Sequence, residues 1–125
     1  MNNTSKQFAI YGAVFMALAV SLGAFGAHGL KAIVSKEMLV IYHTGVEYQF
    51  YHALGLFAVS FIASFQESTL VKRAGYFMIA GIVIFSGSLY AITLSGIKIL
   101  GAITPIGGVS FIVAWILLVF SIKKI

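Results

Sequence analysis

Few side chains in this 125-residue chain can do chemistry, and those that can are suited to moving protons or to forming hydrogen bonds. The chain has three histidines and no cysteine, which excludes thiol catalysis, thiolate metal ligands and disulfides. Several of the polar groups lie within long apolar runs, where an ionisable side chain is costly and is a functional candidate by default. The candidate polar cluster comprises His28, His43, Glu47, Gln49, His52, Ser86, Tyr90, Thr93 and Thr104.

His43 and Glu47 could form a proton-handling pair. They are four residues apart, so they share one face of a helix. A histidine beside a carboxylate titrates in the physiological range. The alternative is a solvated or loop-capping pair. We favour this alternative because both residues fall on the polar side of an amphipathic stretch.

His52 lies deeper, inside the second apolar run and on the same side as Gln49. A buried neutral histidine needs hydrogen-bond partners, and a backbone carbonyl or a hydroxyl of a neighbouring helix would supply them. We therefore expect a structural role, with the hydroxyls of Ser86, Tyr90 and Thr93 as candidate partners. A functional His52 is the alternative.

We predict no metal site, no cofactor and no enzymatic activity. His43 and His52 are nine residues apart, on opposite sides of a straight helix, so they could chelate one ion only if the helix breaks. A metal site would also need His28 to arrive from the preceding loop. The chain contains no Glu-x-x-His, His-Glu-x-x-His or Gly-x-Ser-x-Gly motif and no phosphate-binding loop.

The elements that must position these residues are four apolar runs without a single charge. They are Gln7–Leu30, Tyr48–Gln66, Ala74–Ile97 and Ile99–Ile122. Each is long enough to cross a bilayer, which needs roughly 20 apolar residues. Hydrophobic residues make up 61% of the chain and charged residues 9%, too few to keep a soluble protein of this size dispersed. The sequence therefore predicts an all-α integral membrane protein, one four-transmembrane-helix bundle over residues 1–125, with the lipid bilayer as its partner.

Small residues recur on the first and third predicted helices. In the first helix, about Phe8–Ala27, they form two neighbouring stripes, and in the third span, about Ala74–Leu94, they form one more. Such stripes let helix backbones approach closely in a membrane. The predicted helix-packing residues are Ala9, Ala13, Ala17, Ser21, Gly87 and Ala91, and the second stripe of the first helix is Gly12, Ala19, Gly23 and Gly26.

An amphipathic helix is predicted to lead into span two. Ser35 is a suitable N-cap, and the polar residues from Lys36 to Glu47 fall within one arc of the helix. A continuous helix from Lys36 to Gln66 would be about 46 Å long, against a hydrocarbon core of roughly 30 Å. We therefore expect the first third to lie outside the core or to bend into it at Gly45.

The fourth span contains the only proline, Pro105, followed by Gly107 and Gly108. Thr104 could cap a helix with Pro105 in its first position. Alternatively the helix begins near Lys98 and is kinked or broken around the proline and the glycines. We favour the second alternative.

The net charge of +5 is spread over the ends of the spans, without a basic run, which argues against nucleic acid and fits anionic headgroups. With four spans, both termini share a side with the second loop. That side carries Lys6, Lys72, Arg73, Lys123 and Lys124, and the other side carries Lys31, Lys36 and Lys98. We expect the protein to lie in the cell membrane. The positive-inside rule then places both of its termini in the cytoplasm.

Four segments, in order along the chain, resemble the bacterial YwdK/YgdD family, which is similar to a small eukaryotic transmembrane family. The segments are Gly23–Leu30, Tyr48-Gln49 with His52–Gly55, Ala80–Tyr90 and Leu100–Gly108. The resemblance implies a four-helix membrane protein of unknown function and brings no substrate, cofactor or catalytic residue. Tyr42 stands where tryptophan is expected, while Trp115 fits the family pattern.

Two functions remain as hypotheses. The first is a non-enzymatic membrane protein that works by helix packing, as a homo-oligomer or as an accessory to another membrane protein, because the small-residue stripes exceed what one bundle needs. The alternative is a transporter or channel for a proton, ion or small solute, lined by polar groups of spans two to four.

Overall fold

The computed structural model describes the whole chain, Met1–Ile125, and it is helical with no strands. The α-helices are α1 (Asn3–Ala27), α2 (Lys36–Phe65), α3 (Thr69–Gly81), α4 (Gly87–Ser95) and α5 (Thr104–Lys123), with 3-10 turns at Leu30–Ala32 and Lys98–Ala102. A π-helical turn, Ile82–Ser86, joins α3 to α4, so that the three form one third span. The four predicted spans are confirmed: four helical segments are long and apolar enough to cross a membrane.

Side-chain caps set where three of these helices begin. The Asn2 side chain accepts from the backbone N–H of Ser5 at 2.8 Å, so α1 begins at Asn3, earlier than the predicted Phe8. Ser35 caps α2 as expected, by accepting from the N–H of Met38 at 3.2 Å. Ser68 caps α3 in the same way, by accepting from the N–H of Val71.

In the bundle, α2 and the third span lie in the middle, α1 packs along α2, and α5 packs along α3 and the π turn. Because lipid is as apolar as these side chains, the helices are held by close packing and hydrogen bonds rather than by exclusion of water. The main core draws on all four spans and consists of Phe8, Leu56, Val59, Ala63, Val71, Ala74, Met78, Ile82, Phe111, Ala114 and Leu118.

The amphipathic start of α2 is present, and the helix is not broken at Gly45, the position suggested for a bend. The helix runs without interruption from Lys36 to Phe65. Gly45 is buried, and a Cβ added there would lie 2.9 Å from Cε1 of Tyr90. Glycine at this position therefore allows a close contact with the third span.

The fourth span is broken, although not where predicted. A 3-10 turn from Lys98 ends at Ala102, and α5 begins at Thr104. Pro105 lies in the first turn of α5, where its missing N–H costs nothing, so it kinks no α-helix from Lys98. Gly107 and Gly108, expected at the break, lie inside α5.

The two small-residue stripes of α1 face different surroundings. Gly12, Ala19 and Gly26 are buried against α2, and a Cβ on Gly12 would lie 3.0 Å from the carbonyl oxygen of Ala53. The predicted packing stripe faces outward within this chain: Ala13, Ala17 and Ser21 are exposed and Ala9 is half-buried. Gly87 and Ala91 are also only half-buried, and a Cβ on Gly87 would have no neighbour within 4 Å.

Candidate functional site: an aromatic cleft beside His52

The most distinctive polar contact in the bundle joins His52 of α2 to Trp115 of α5. The indole Nε1–H donates to Nε2 of His52 at 3.0 Å, and Nδ1 of His52 lies 2.8 Å from the carbonyl oxygen of Tyr48. Because Nε2 accepts and the carbonyl can only accept, the proton of the imidazole is on Nδ1. These two bonds define a neutral histidine with both ring nitrogens paired.

Aromatic rings surround this pair. The His52 ring stacks on Phe111, with ring centroids 3.5 Å apart and planes 11° from parallel. Tyr48 contacts Phe85 nearby, with ring centroids 4.6 Å apart. His52 itself is only 5% exposed, so its ring is covered almost completely by these neighbours.

A cleft of about 530 Å³ opens beside these rings. We call it the aromatic cleft, and it is lined by Tyr48, His52, Phe85, Pro105, Gly108, Val109, Phe111, Ile112 and Trp115. Its walls come from α2, the π turn and α5. The aromatic and aliphatic lining suits an apolar or aromatic group, because both nitrogens of His52 are already occupied.

Local backbone features of α5 and the third span shape the cleft. Phe85 belongs to the π turn, a type of irregularity that is frequent at functional sites. A Cβ on Gly107 would lie 2.7 Å from Cα of Phe85, so only glycine lets α5 approach the backbone of the turn this closely. The Phe111 ring packs in turn over Gly81. Two glycines thus allow α5 to lie against the third span.

The hydroxyl face of the third span contacts α2 and does not reach His52, contrary to our expectation. Tyr90 donates to Oε1 of Gln49 at 2.6 Å, and Ser86 donates to the carbonyl oxygen of Gly45 at 2.7 Å. Thr93 lies 3.3 Å from the carbonyl oxygen of Met38.

The hydrogen bonds continue from the third span across α2 to α1. Nε2 of Gln49 donates to the carbonyl oxygen of Phe15 at 2.9 Å. Tyr90, Gln49 and Phe15 therefore link three spans in one chain of hydrogen bonds. Every buried side-chain nitrogen or oxygen atom in the bundle has such a partner.

The rest of the predicted cluster is dispersed. Thr104 pairs with Ser88, with hydroxyl oxygens 2.5 Å apart, and does not cap α5. His28, His43 and Glu47 are exposed, and no ion pair joins His43 to Glu47. No three metal-ligating side chains lie together. The aromatic cleft includes His52 alone of the nine candidates, because the others are held at different places along the helices.

Sequence reasoning missed Trp115 as the partner of His52. One signal was present: an indole N–H within an apolar span needs an acceptor, and His52 is the only imidazole at that depth. It also missed the network at the start of the chain, where the hydroxyls of Ser5 and Ser60 lie 3.0 Å apart and Asn2 donates to the carbonyl oxygen of Ala63.

The same network ends at Glu67, outside the spans. The backbone N–H of Thr4 donates to Oε1 of Glu67 at 3.2 Å. Hydrogen bonds from the Thr4 hydroxyl and N–H, with a smaller contribution from the charge of Lys72, hold the pKa of the Glu67 carboxyl below its usual range. This carboxylate tethers the N-terminus of α1 to the loop between α2 and α3.

Comparison with known proteins matches residues 22–108 to a family model described as a protein of unknown function, DUF423. The UPF0382 membrane protein YwdK of Bacillus subtilis strain 168 is 53% identical over 120 residues, which cover 95% of this chain and 98% of that protein. A UPF0382 membrane protein of Staphylococcus saprophyticus is 48% identical over 96% of this chain and 99% of its own length. One from Staphylococcus aureus strain RF122 is 46% identical over 95% of this chain and 97% of its own. No solved structure matches. The predicted resemblance is thus confirmed, and the chain belongs to the UPF0382 (DUF423) family of membrane proteins, whose function is unknown.

Proposed function

We propose that this protein acts without catalysis, by packing the outward face of α1 against another transmembrane helix. The outward face is defined by Ala13, Ala17 and Ser21, with Ala9 at its edge. The helix it meets belongs to a second copy of the chain or to another membrane protein. One observation carries the proposal: α1 has two stripes of small residues, and packing within the chain uses only the other one.

The physical argument is that small residues stabilise a membrane helix only where another helix packs closely against them. Lipid chains are as apolar as leucine, so a lipid-facing position gains nothing from being small. On α1 the lipid-facing positions Val14 and Leu18 carry large side chains, as expected for contact with acyl chains. The alanines and the serine beside them leave a shallow groove of the kind that brings two helix backbones together.

The alternative of a transport path has less support. Such a path needs polar groups that are free to exchange partners along a cavity. In this bundle the hydroxyls of Ser86, Tyr90 and Thr93 bind α2, and Thr104 binds Ser88. These bonds join neighbouring helices, which is the behaviour of residues that hold a bundle together.

The double substitution Ala13→Leu/Ala17→Leu tests the proposal. Size-exclusion chromatography with light scattering, in a mild detergent, should give a mass above one chain of 13.4 kDa for the unaltered protein and a single-chain mass for the variant. Val14→Leu, on the adjoining lipid face, is the control and should keep the larger mass. The proposal fails if all three proteins have the single-chain mass and co-purify with no other protein, or if all three keep the larger mass.

For the orientation, we propose that both termini face the cytoplasm. The support is the excess of Lys and Arg on the side that carries the termini, five residues against three. Because the chain has no cysteine, single cysteines at Lys124 and at Lys98 can be labelled with an impermeant maleimide on intact cells. Labelling at position 98 alone is expected, and labelling at position 124 alone would reverse the orientation.

A further inference from the structure

We propose that His52 and Trp115 form a proton-sensitive latch on the aromatic cleft. A neutral His52 holds the indole of Trp115 at the cleft wall, and protonation of His52 releases it. This inference is independent of the packing role proposed for α1, because no residue of α1 lines the cleft.

The first argument is the direction of the hydrogen bonds. The indole N–H can only donate, and it lies 3.0 Å from Nε2 of His52. The Tyr48 carbonyl can only accept, so it fixes the single proton of the neutral ring on Nδ1. A second proton would have to bind Nε2. Two N–H donors would then face each other, and the bond to Trp115 could not persist.

The second argument is that two contacts of the ring remain favourable when it is charged. The bond from Nδ1–H to the Tyr48 carbonyl survives protonation. The face of Phe111, 3.5 Å from the imidazole centroid, would attract a cation through its quadrupole. Protonation thus breaks one of the contacts of His52 and strengthens another, which gives the pair two defined arrangements.

The third argument is that Trp115 has room to leave. Its side chain is 40% exposed on the rim of the cleft, and the cleft offers about 530 Å³ beside it. The cleft lies directly beside the imidazole, because His52 is one of its lining residues. Apart from His52, the only titratable side chain that lines the cleft is Tyr48 of α2. The third span contributes only Phe85, and α5 contributes no titratable or charged side chain.

Trp115 is the only tryptophan, so its fluorescence reports on the latch directly. In detergent or nanodiscs, lowering the pH from 8 to 4.5 should shift the emission reversibly to longer wavelength as the indole leaves its acceptor. The matched control is His28→Gln/His43→Gln, which removes the two exposed histidines and should keep the shift. His52→Gln can still accept from the indole but cannot become charged in this range, so the shift should be lost.

A second measurement avoids any substitution at His52. In NMR spectra of the unaltered protein labelled with ¹⁵N, the ring of His52 and the indole Nε1–H of Trp115 should change with one common midpoint. The latch is refuted if His52 titrates while the indole resonance stays constant, if neither changes between pH 8 and 4.5, or if the fluorescence shift persists in His52→Gln.

Discussion

The hydroxyl of Tyr90 donates to Oε1 of Gln49 at 2.6 Å and so joins the third span to α2 in the middle of the bundle. Gln49 is 3% exposed, and its Nε2 donates in turn to the carbonyl oxygen of Phe15 in α1. Three of the four spans are therefore linked through one glutamine. In a lipid environment, where water cannot replace a lost partner, such bonds help to hold helices in a single arrangement.

Removing the Tyr90 hydroxyl should weaken the bundle without breaking it. Tyr90→Phe keeps the ring against Gly45 and leaves Oε1 of Gln49 unpaired, so we expect a loss of about 1 kcal/mol, in the range measured for hydrogen bonds between membrane helices. Reversible unfolding in mixed micelles would measure it. Tyr51→Phe, at an exposed position of α2, is the control and should change little. An equal loss of stability in the two variants would show that the hydrogen bond between Tyr90 and Gln49 does not stabilise the bundle.

Gly107 should tolerate no side chain, whereas its neighbour Gly108 should. A Cβ at position 107 would lie 2.7 Å from Cα of Phe85, and a backbone atom cannot move aside as a flexible side chain can. We expect Gly107→Ala to cost about 1–3 kcal/mol. At Gly108 the nearest atom is Cδ2 of Phe85 at 3.9 Å, an ordinary contact, and alanine also favours the helix.

The melting temperature in detergent distinguishes the two glycine variants. Gly107→Ala should lower it, and Gly108→Ala should leave it unchanged or raise it slightly. Equal melting temperatures would contradict the close approach of α5 to the π turn.

Glu67 should make the tether of the N-terminus sensitive to acid. Its folded-state pKa is lowered by Thr4, so its contribution to stability is present at neutral pH and is lost as the pH falls from the ordinary carboxyl range, about pH 4, through the folded value. Glu67→Gln should remove this part of the acid dependence, as measured by melting temperature between pH 7 and 3. Glu47→Gln, at an exposed position away from the tether, should keep it. The proposed role of Glu67 is contradicted if the melting temperatures of the two variants depend on pH in the same way.

The sequence predicted the parts of this fold that depend on neighbouring residues along the chain. The spans followed from local hydropathy, and the start of α2 followed from the hydroxyl of Ser35. The polar arc predicted at the start of α2 is the exposed face of the helix, with Lys36, Glu37, His43 and Glu47 on the surface. Each of these properties is decided within one or two helical turns.

The pairing of polar groups was not predictable in the same way, because it depends on which helices are neighbours and at what height. His52 was assigned to the hydroxyls of the third span, yet α5 supplies Trp115 instead. The π turn at Ile82–Ser86 adds a further obstacle, since it changes the direction of every side chain that follows relative to an ideal helix. Nothing in the hydropathy of the third span indicates this turn.

The central claim, that the outward face of α1 packs against another helix, is tested most directly by crosslinking in native membranes. The chain has no cysteine, so single cysteines can be placed at Ala13 and Ala17 on this face and at Leu18, which is 49% exposed on the adjoining lipid face. With a photoactivatable maleimide crosslinker attached to each cysteine, we predict crosslinked species, to a second copy or to another membrane protein, at positions 13 and 17 and none at position 18. No crosslink at positions 13 and 17, or equal crosslinking at all three positions, would contradict the account.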